Sequence, residues 1–273
     1  MNFSVLMSLY EKEKAEYLRK ALDSIINQTI KPSEILLVKD GPLTVELEKI
    51  INEYKSQFSH LFKVIALEEN QGLGNALRIG VENCSFEIIA RMDSDDVARN
   101  DRFEKQIGVF KKNPDISIVG SFISEFKDEP ENIYAVKSVP IRPEDIAKYA
   151  KWRNPLNHMT VMFRKTAVLN AGNYQTFLYF EDYYLWARML KLGMKMANIP
   201  ECLVNARAGN TMIKRRKGSF YIEKEFKLYL YFLEIGFINI FEFSRNVFLK
   251  FCLRIMPYDL MKLIYNMILR RKH

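Results

Sequence analysis

Cysteine is scarce in this sequence: three residues in 273, Cys84, Cys202 and Cys252, set far apart and in no CxxC or other ligand spacing. That excludes a disulfide framework and a thiolate metal centre, and it is the usage of a cytosolic chain with reduced, buried thiols. No run approaches the roughly 18 to 20 uncharged residues of a membrane-spanning helix. The apolar start from Phe3 to Tyr10 is short, has no basic stretch before it and ends in Glu11-Lys12-Glu13-Lys14, so no signal peptide is expected. Internal repeats and low-complexity segments are missing as well. The expectation is a cytoplasmic protein that can still lie on a membrane surface.

What is present describes a folded chain: 48% hydrophobic and 13% aromatic residues, with mixed charge. The length suits one large domain, or one domain plus an appendage. The net charge of +8 is unevenly placed. Residues 214–273 hold 13 Lys or Arg against 5 Asp or Glu, a surplus of eight that equals the whole chain's, so residues 1–213 are balanced. The tail therefore expects an anionic partner, either nucleic acid or an acidic lipid surface.

The first 120 residues alternate between two periods. Short apolar runs at 3–9, 34–38, 62–67, 87–92 and 116–120 have strand length, and 15–28, 44–58, 72–83 and 102–112 have helical spacing, as in Leu18, Leu22, Ile25 and Ile26. Strand and helix in alternation predict an α/β fold with a mostly parallel sheet covered on both faces. Ligands of such sheets bind beyond the carboxyl ends of the strands. Polar groups follow the strands there: Ser8-Leu9-Tyr10, Asp40-Gly41-Pro42, Glu69-Asn70-Gln71-Gly72 and Asp93-Ser94-Asp95-Asp96. From 121 to 213 the alternation breaks down into strand-like 121–126 and 160–163 and a helix near 183–192. Beyond 214 the pattern is helical and rich in Phe, Tyr, Leu and Ile.

The strongest chemical signal is Arg91-Met92-Asp93-Ser94-Asp95-Asp96. Three carboxylates in four residues after a buried strand repel one another unless a cation sits among them. A hard divalent ion that shares its coordination with substrate phosphates, Mn²⁺ or Mg²⁺, suits such a cluster. A helix N-terminus would also favour acidic residues.

Taken in order, the strand ending in Tyr10, the strand followed by Asp40-Gly41, Asn70-x-Gly72-x-x-x-x-x-Arg78, Asp93-x-Asp95-Asp96 and Glu181-Asp182 resemble the family 2 glycosyltransferases. The resemblance covers roughly residues 3 to 216. It implies a GT-A fold, a Rossmann-like sheet flanked by helices, and an inverting hexosyl- or N-acetylhexosaminyltransferase that uses a UDP-sugar and a divalent metal. It further implies a saccharide or polyprenyl-diphosphate-linked acceptor in surface polysaccharide or O-antigen synthesis. By position, Tyr10 resembles the aromatic that stacks on the base and Asp40 the acid that hydrogen-bonds it, although Lys39 stands where the family usually has a first acid. Asn70, Gly72 and Arg78 resemble the loop and helix beside the nucleotide, with Arg78 toward the diphosphate. Asp95 resembles the direct metal ligand and Asp93 a ribose or metal contact. Asp182 resembles the general base that deprotonates the acceptor hydroxyl, with Glu181 orienting the acceptor. His158 has the position of a cleft-lining histidine. Arg207, before Gly209-Asn210-Thr211 and Lys214-Arg215-Arg216, resembles a mobile basic loop that closes over the donor. Residues 1–120 then form the nucleotide half, 121–216 the acceptor half, and 217–273 an appended basic tail.

In that tail Phe237, Ile238, Ile240, Phe241, Val247, Phe248 and Phe251 alternate with Arg245, Lys250 and Arg254. A final helix is expected over 260–269, ending in Arg270-Arg271-Lys272-His273. Such amphipathic helices lie in the interface of an anionic membrane, or pack as a hairpin on the domain. Two other functions compete. A sugar nucleotidyltransferase expects a Gly-rich basic loop after the first strand, where Ser8-Leu9-Tyr10-Glu11 stands. A nucleic-acid binder is disfavoured by the acidic cluster and the aromatic tail, so no nucleic-acid partner is expected.

Overall fold

The computed structural model describes residues 1–208, 219–256 and 270–272. In chain order the elements are β1 (Phe3–Leu9), α1 (Ala15–Ile26), β2 (Glu34–Lys39), α2 (Val45–Gln57), β3 (Phe62–Ala66), α3 (Leu73–Asn83), β4 (Ile88–Met92), β5 (Val97–Ala98), α4 (Arg102–Lys112), β6 (Ile116–Phe126) and β7 (Ile133–Lys137). There follow α5 (Pro143–Tyr149), a 3-10 turn (His158–Thr160), β8 (Met162–Arg164), α6 (Lys165–Asn170), α7 (Glu181–Lys191), β9 (Lys195–Arg207), α8 (Ser219–Glu234), α9 (Ile240–Ile255) and β10 (Arg270–Lys272).

The sheet runs β10-β7-β6-β8-β4-β1-β2-β3. Its N-terminal half, β3-β2-β1-β4, is parallel throughout. Beyond β4 the sheet turns mixed: β8 is antiparallel to β4 and β6, β7 is antiparallel to β6, and β9 runs parallel to β6 while pairing antiparallel with β5. The parallel order read from the alternation therefore holds for the first half, and the second half mixes antiparallel pairings with one parallel pair, β6 and β9, joined across α5 to α7.

Side chains alternate across the sheet, and the two faces have separate cores. Phe3, Val5, Met7 and Leu9 of β1, with Ile35 and Leu37 of β2, pack under α1, α2 and α4. Leu6, Leu36, Val38 and Ile89 point the other way, under α3, α6 and α7. Both faces are buried, which is why these strands read as continuous apolar runs. Helix α1 buries Leu18, Leu22 and Ile25 on one stripe. Each such side chain contributes roughly 1.5–3 kcal/mol, and Leu22→Ala is expected to cost about 2–5 kcal/mol. Gly80 lets α3 sit directly on β1: a Cβ there would lie 2.3 Å from Leu6 Cδ1.

A third cluster joins Phe180, Tyr183 and Ala187 to Tyr221, Leu228, Tyr229, Phe232 and Ile238. Helix α8 thus packs on α7, and the Tyr229 hydroxyl donates to the Trp152 carbonyl at 2.7 Å. The first tail helix is in the core and is no separate appendage. Arg270–Lys272, expected to end a helix, is instead an edge strand antiparallel to β7, where it satisfies backbone groups of Ala135–Lys137. The helix expected at 260–269 lies outside the described residues. Among the described residues no helix is long and apolar enough to cross a membrane.

Candidate active site

Strands β1, β2 and β4 end side by side, with Leu9 in register with Lys39 and Met7 with Met92. Tyr10, the residue after β1, is 44% exposed at that edge. Asp40 follows β2 and is buried. Its carboxylate accepts the amides of Gln71 at 2.7 Å and Gly72 at 3.0 Å, and its carbonyl accepts the Asn70 side chain at 3.2 Å. Asp40 therefore ties the β2 end to the start of α3, whose N-cap is Gly72. Gly41 is required at that junction: its φ is +89°, and a Cβ would stand 2.8 Å from the Asn70 amide. Lys39 turns to Glu48 on α2, with Nζ–Oε1 at 2.6 Å. Arg78 lies further along α3, paired with Glu82 at 3.2 Å and donating to Asn75 at 2.9 Å.

The turn after β4 places Asp93, Asp95 and Asp96 so that carboxylate oxygens of all three lie within 4.8 Å of one another. Arg91, almost fully buried, grips both oxygens of Asp93. The carbonyl of Arg91 accepts the buried Arg102 guanidinium at 2.7 Å. Asp96 accepts the Arg207 amide at 2.7 Å, and its other oxygen is buried with no partner. Burial, with the charges of Asp93 and Glu13, pushes Asp95 up to about 7. Burial and the charges of Asp93 and Asp95 hold Asp96 well above the ordinary carboxylate range. An orphaned buried oxygen and carboxyls pushed upward by their neighbours are what a divalent cation would relieve, so the donor set fits one.

Arg207 is the last residue of β9. Its guanidinium stacks over Tyr17 at 3.6 Å and donates to the carbonyls of Lys127 at 2.8 Å and Asp128 at 3.0 Å. This corrects the expectation of a mobile loop residue: a stacked, strand-end arginine braces the acidic turn. The basic run 214–216 lies outside the described residues.

Glu181 and Asp182 form the first turn of α7, after the N-cap Phe180. Asp182 accepts Asn154 Nδ2 at 2.6 Å and the Tyr183 amide at 2.7 Å. Asn154 is itself oriented, because its Oδ1 accepts the Leu156 amide at 3.2 Å. Burial raises Asp182, opposed by Asn154 and by the charge of Arg91. Burial and the Asp182 charge push Glu181 to about 7. Gly74 on α3 lies against this pair: a Cβ there would be 2.9 Å from Glu181 Cγ. The ring of His158 lies 2.9 Å from the Tyr174 hydroxyl, packs edge-on to Trp186, and is held neutral by burial and Arg91.

The fold thus brings Tyr10, Asp40, Asn70 and Gly72 to one edge, with the Asp93–Asp96 turn beside them and Glu181 against the start of α3. Arg78, further along α3, is engaged with Glu82 and Asn75. Sequence reasoning named no role for Arg91 or Asn154, yet each holds a carboxylate of the site. Their signal was positional: Arg91 two residues before Asp93, and Asn154 in the Asn154-Pro155 turn that precedes His158.

Known proteins resemble this chain. The family profile described as "Glycosyl transferase family 2" matches residues 4–175. The chain is 38% identical to the amylovoran biosynthesis glycosyltransferase AmsE of Erwinia amylovora, over 97% of this chain and 98% of that protein. It is 35% identical to a UDP-Gal:alpha-D-GlcNAc-diphosphoundecaprenol beta-1,3-galactosyltransferase of Escherichia coli, over 98% and 97% respectively. Among solved structures, S. aureus TarS 1-349 in complex with UDP-GlcNAc superposes with a TM-score of 0.65 at 16% identity, covering 90% of this chain and 70% of that one.

Proposed function

Since the chain belongs to glycosyl transferase family 2 and has the GT-A fold, we propose that it transfers a sugar from a UDP-sugar to a saccharide carried on polyprenyl diphosphate. The product enters surface polysaccharide synthesis. The relatives whose names specify amylovoran synthesis and a diphosphoundecaprenol acceptor support this reading, at 38% and 35% identity over nearly the whole chain. The observation that carries it is the presence of two acidic groups: the Asp93–Asp95–Asp96 cluster after β4, and Glu181–Asp182 at the start of α7.

Tyr10 offers an exposed ring on which the uracil stacks. Asp40 orders the Gln71–Gly72 backbone that flanks the nucleotide. Asp95 and Asp96 would hold Mn²⁺ or Mg²⁺, with Asp93 fixed by Arg91 at its side. A bound ion would supply Lewis-acid stabilisation of the departing diphosphate. Asp182, held by Asn154, takes the proton of the acceptor hydroxyl as that oxygen attacks the anomeric carbon on the face opposite the leaving UDP, which inverts the configuration. Glu181 sits beside it to orient the acceptor. Helix α9 exposes Ile240, Phe241, Phe248, Leu249 and Phe251, with Arg245 among them, a face suited to the interface of an anionic membrane where such acceptors reside. The protein then works at the inner face of the cell membrane.

The test is product analysis. UDP-sugars are supplied one at a time with a short-chain prenyl-diphospho-GlcNAc, and the linkage formed is read by NMR. One UDP-sugar giving a single product of inverted configuration, with Asp182→Asn slower by about 10²–10⁴-fold, supports the reading. Retained configuration, or full activity in Asp182→Asn, contradicts it.

A further inference from the structure

Residues 150–154 leave the end of α5 as an irregular turn, and its last residue is Asn154, the hydrogen-bond partner of Asp182. Carbonyls in such a turn belong to no helix or strand ladder, so side chains must satisfy them when they are buried. Three consecutive carbonyls here are satisfied from three different helices. Ala150 accepts the Tyr183 hydroxyl of α7 at 2.6 Å, and Lys151 accepts Asn246 Nδ2 of α9 at 2.7 Å. Trp152 accepts the Tyr229 hydroxyl of α8 at 2.7 Å. All three donor residues are buried.

The turn is therefore clamped at both ends by α7, through Tyr183 and Asp182, and in its middle by α8 and α9. The Oδ1 of Asn246 accepts the Arg245 guanidinium at 3.0 Å, which turns its amide nitrogen toward Lys151. Lys151 returns a second tie to α9, with Nζ 2.9 Å from Glu242 Oε1. At the far end, Pro155 confines the backbone of Asn154 to extended geometry, and Asn154 Oδ1 accepts the Leu156 amide. The path from Asn246 to Asp182 thus consists of one hydrogen bond, three residues of held backbone and one more hydrogen bond.

We propose that Asn246 of α9 is a positioning residue for Asp182: by fixing the 150–154 turn, it holds Asn154 against the carboxylate. Tyr229 of α8 acts on the same turn. The proposal rests on the reading that Asp182 takes the proton of the acceptor hydroxyl, and it makes α8 and α9 part of the device that aims that base. Reacting groups must be held within about 0.5 Å of productive geometry, and a misplacement of about 1 Å costs roughly 10²-fold in rate. Neither Asn246 nor Tyr229 needs to touch substrate to have this effect.

The experiment is a double-mutant cycle on the full-length protein, with the Asp182 carboxyl followed against pH by carbon-13 NMR and assigned by its loss in Asp182→Asn. Asn246→Leu is close in size and removes the donor. Tyr229→Phe removes only a hydroxyl and keeps its ring in the core, so it serves where the first variant folds poorly. The charged and titratable groups around Asp182 are Glu181 beside it, Arg91 from β4, Lys137 from β7 and Tyr174, and the variants alter none of them. Loosening Asn154 withdraws a hydrogen bond from the ionised carboxylate, so the midpoint should rise in both variants, toward the roughly one unit that Asn154→Ala produces. In the Asn154→Ala background neither substitution should move it further, because the route is already cut. With a UDP-sugar and short-chain prenyl-diphospho-GlcNAc, kcat should fall about tenfold or more, while UDP binding in Mn²⁺ and the donor KM stay unchanged. An unmoved midpoint in both variants, or equal shifts with and without Asn154, overturns the proposal. Absence of product from wild type would count against the acceptor reading alone, because the titration decides the positioning role without substrate.

Discussion

Replacing Asp95 with Asn should make the metal-free protein more stable at alkaline pH. Asp95 shares a space with Asp93 and Asp96, all within 4.8 Å, and burial with the charges of Asp93 and Glu13 pushes it from 3.8 to about 7. Between those values the folded chain keeps a proton that the unfolded chain has lost. Stability therefore falls as pH rises through that window and stays low above it. Roughly three units at about 1.4 kcal/mol each give a ceiling of about 4 kcal/mol. The neighbouring carboxyls share the repulsion and the asparagine amide remains buried, so about 2 kcal/mol is expected. The assay is urea unfolding in EDTA at pH 5 and pH 8. Asp95→Asn should exceed wild type by about 2 kcal/mol at pH 8, and the gap should narrow at pH 5. Mn²⁺ at about 100 times its dissociation constant should add roughly 2.7 kcal/mol to wild type, and much less to the variant. A variant less stable than wild type at pH 8 in EDTA would refute the reasoning, because Asp95 would then be satisfied within the fold.

Other outcomes follow from neighbouring contacts. Asn154→Ala removes a hydrogen bond that favours the ionised form of Asp182. The acid limb of kcat/KM should move up by about one pH unit, given the roughly 1.5–3 kcal/mol of such bonds, with UDP affinity unchanged; an unmoved limb would exclude this role. Asp40→Ala frees the amides of Gln71 and Gly72, and should cost about 2–3 kcal/mol in thermal unfolding while weakening UDP binding. Phe241→Asp with Phe248→Asp places two acids on the exposed α9 face, and should abolish co-sedimentation with phosphatidylglycerol vesicles. Unchanged pelleting would remove α9 as the membrane surface.

The parallel half of the sheet was legible because both faces of β1, β2 and β4 are buried and give uninterrupted apolar runs. The acidic turn and the Glu181–Asp182 pair were legible because local spacing alone puts them after a strand and at a helix start. Strand β6 reads as two pieces, 116–120 and 121–126, because Gly120 and Ser121 look like a break. In the fold Ser121 is fully buried, its amide accepted by the Thr160 hydroxyl at 3.0 Å, and Gly120 is small because a Cβ would lie 2.3 Å from Asn198 Oδ1. Strand β9 was hidden by Pro200, which falls where the register with β6 shifts between Ile199 and Cys202. The bracing of Asp96 by Arg207 spans 111 residues, and no local pattern carries it. The tail's Phe, Tyr and Leu content suits a core and a membrane equally, and it serves the core on α8 while leaving the α9 face bare.

The most direct test is equilibrium titration of UDP and a panel of UDP-sugars into wild type and Asp95→Ala, with Mn²⁺, with Mg²⁺ and with EDTA. Tight binding of UDP and of one UDP-sugar with metal, lost in EDTA and in Asp95→Ala, is the predicted result. A folded protein that binds no UDP-sugar in the presence of metal, or binds one equally well in EDTA, would contradict a metal-dependent UDP-sugar site at the end of β4.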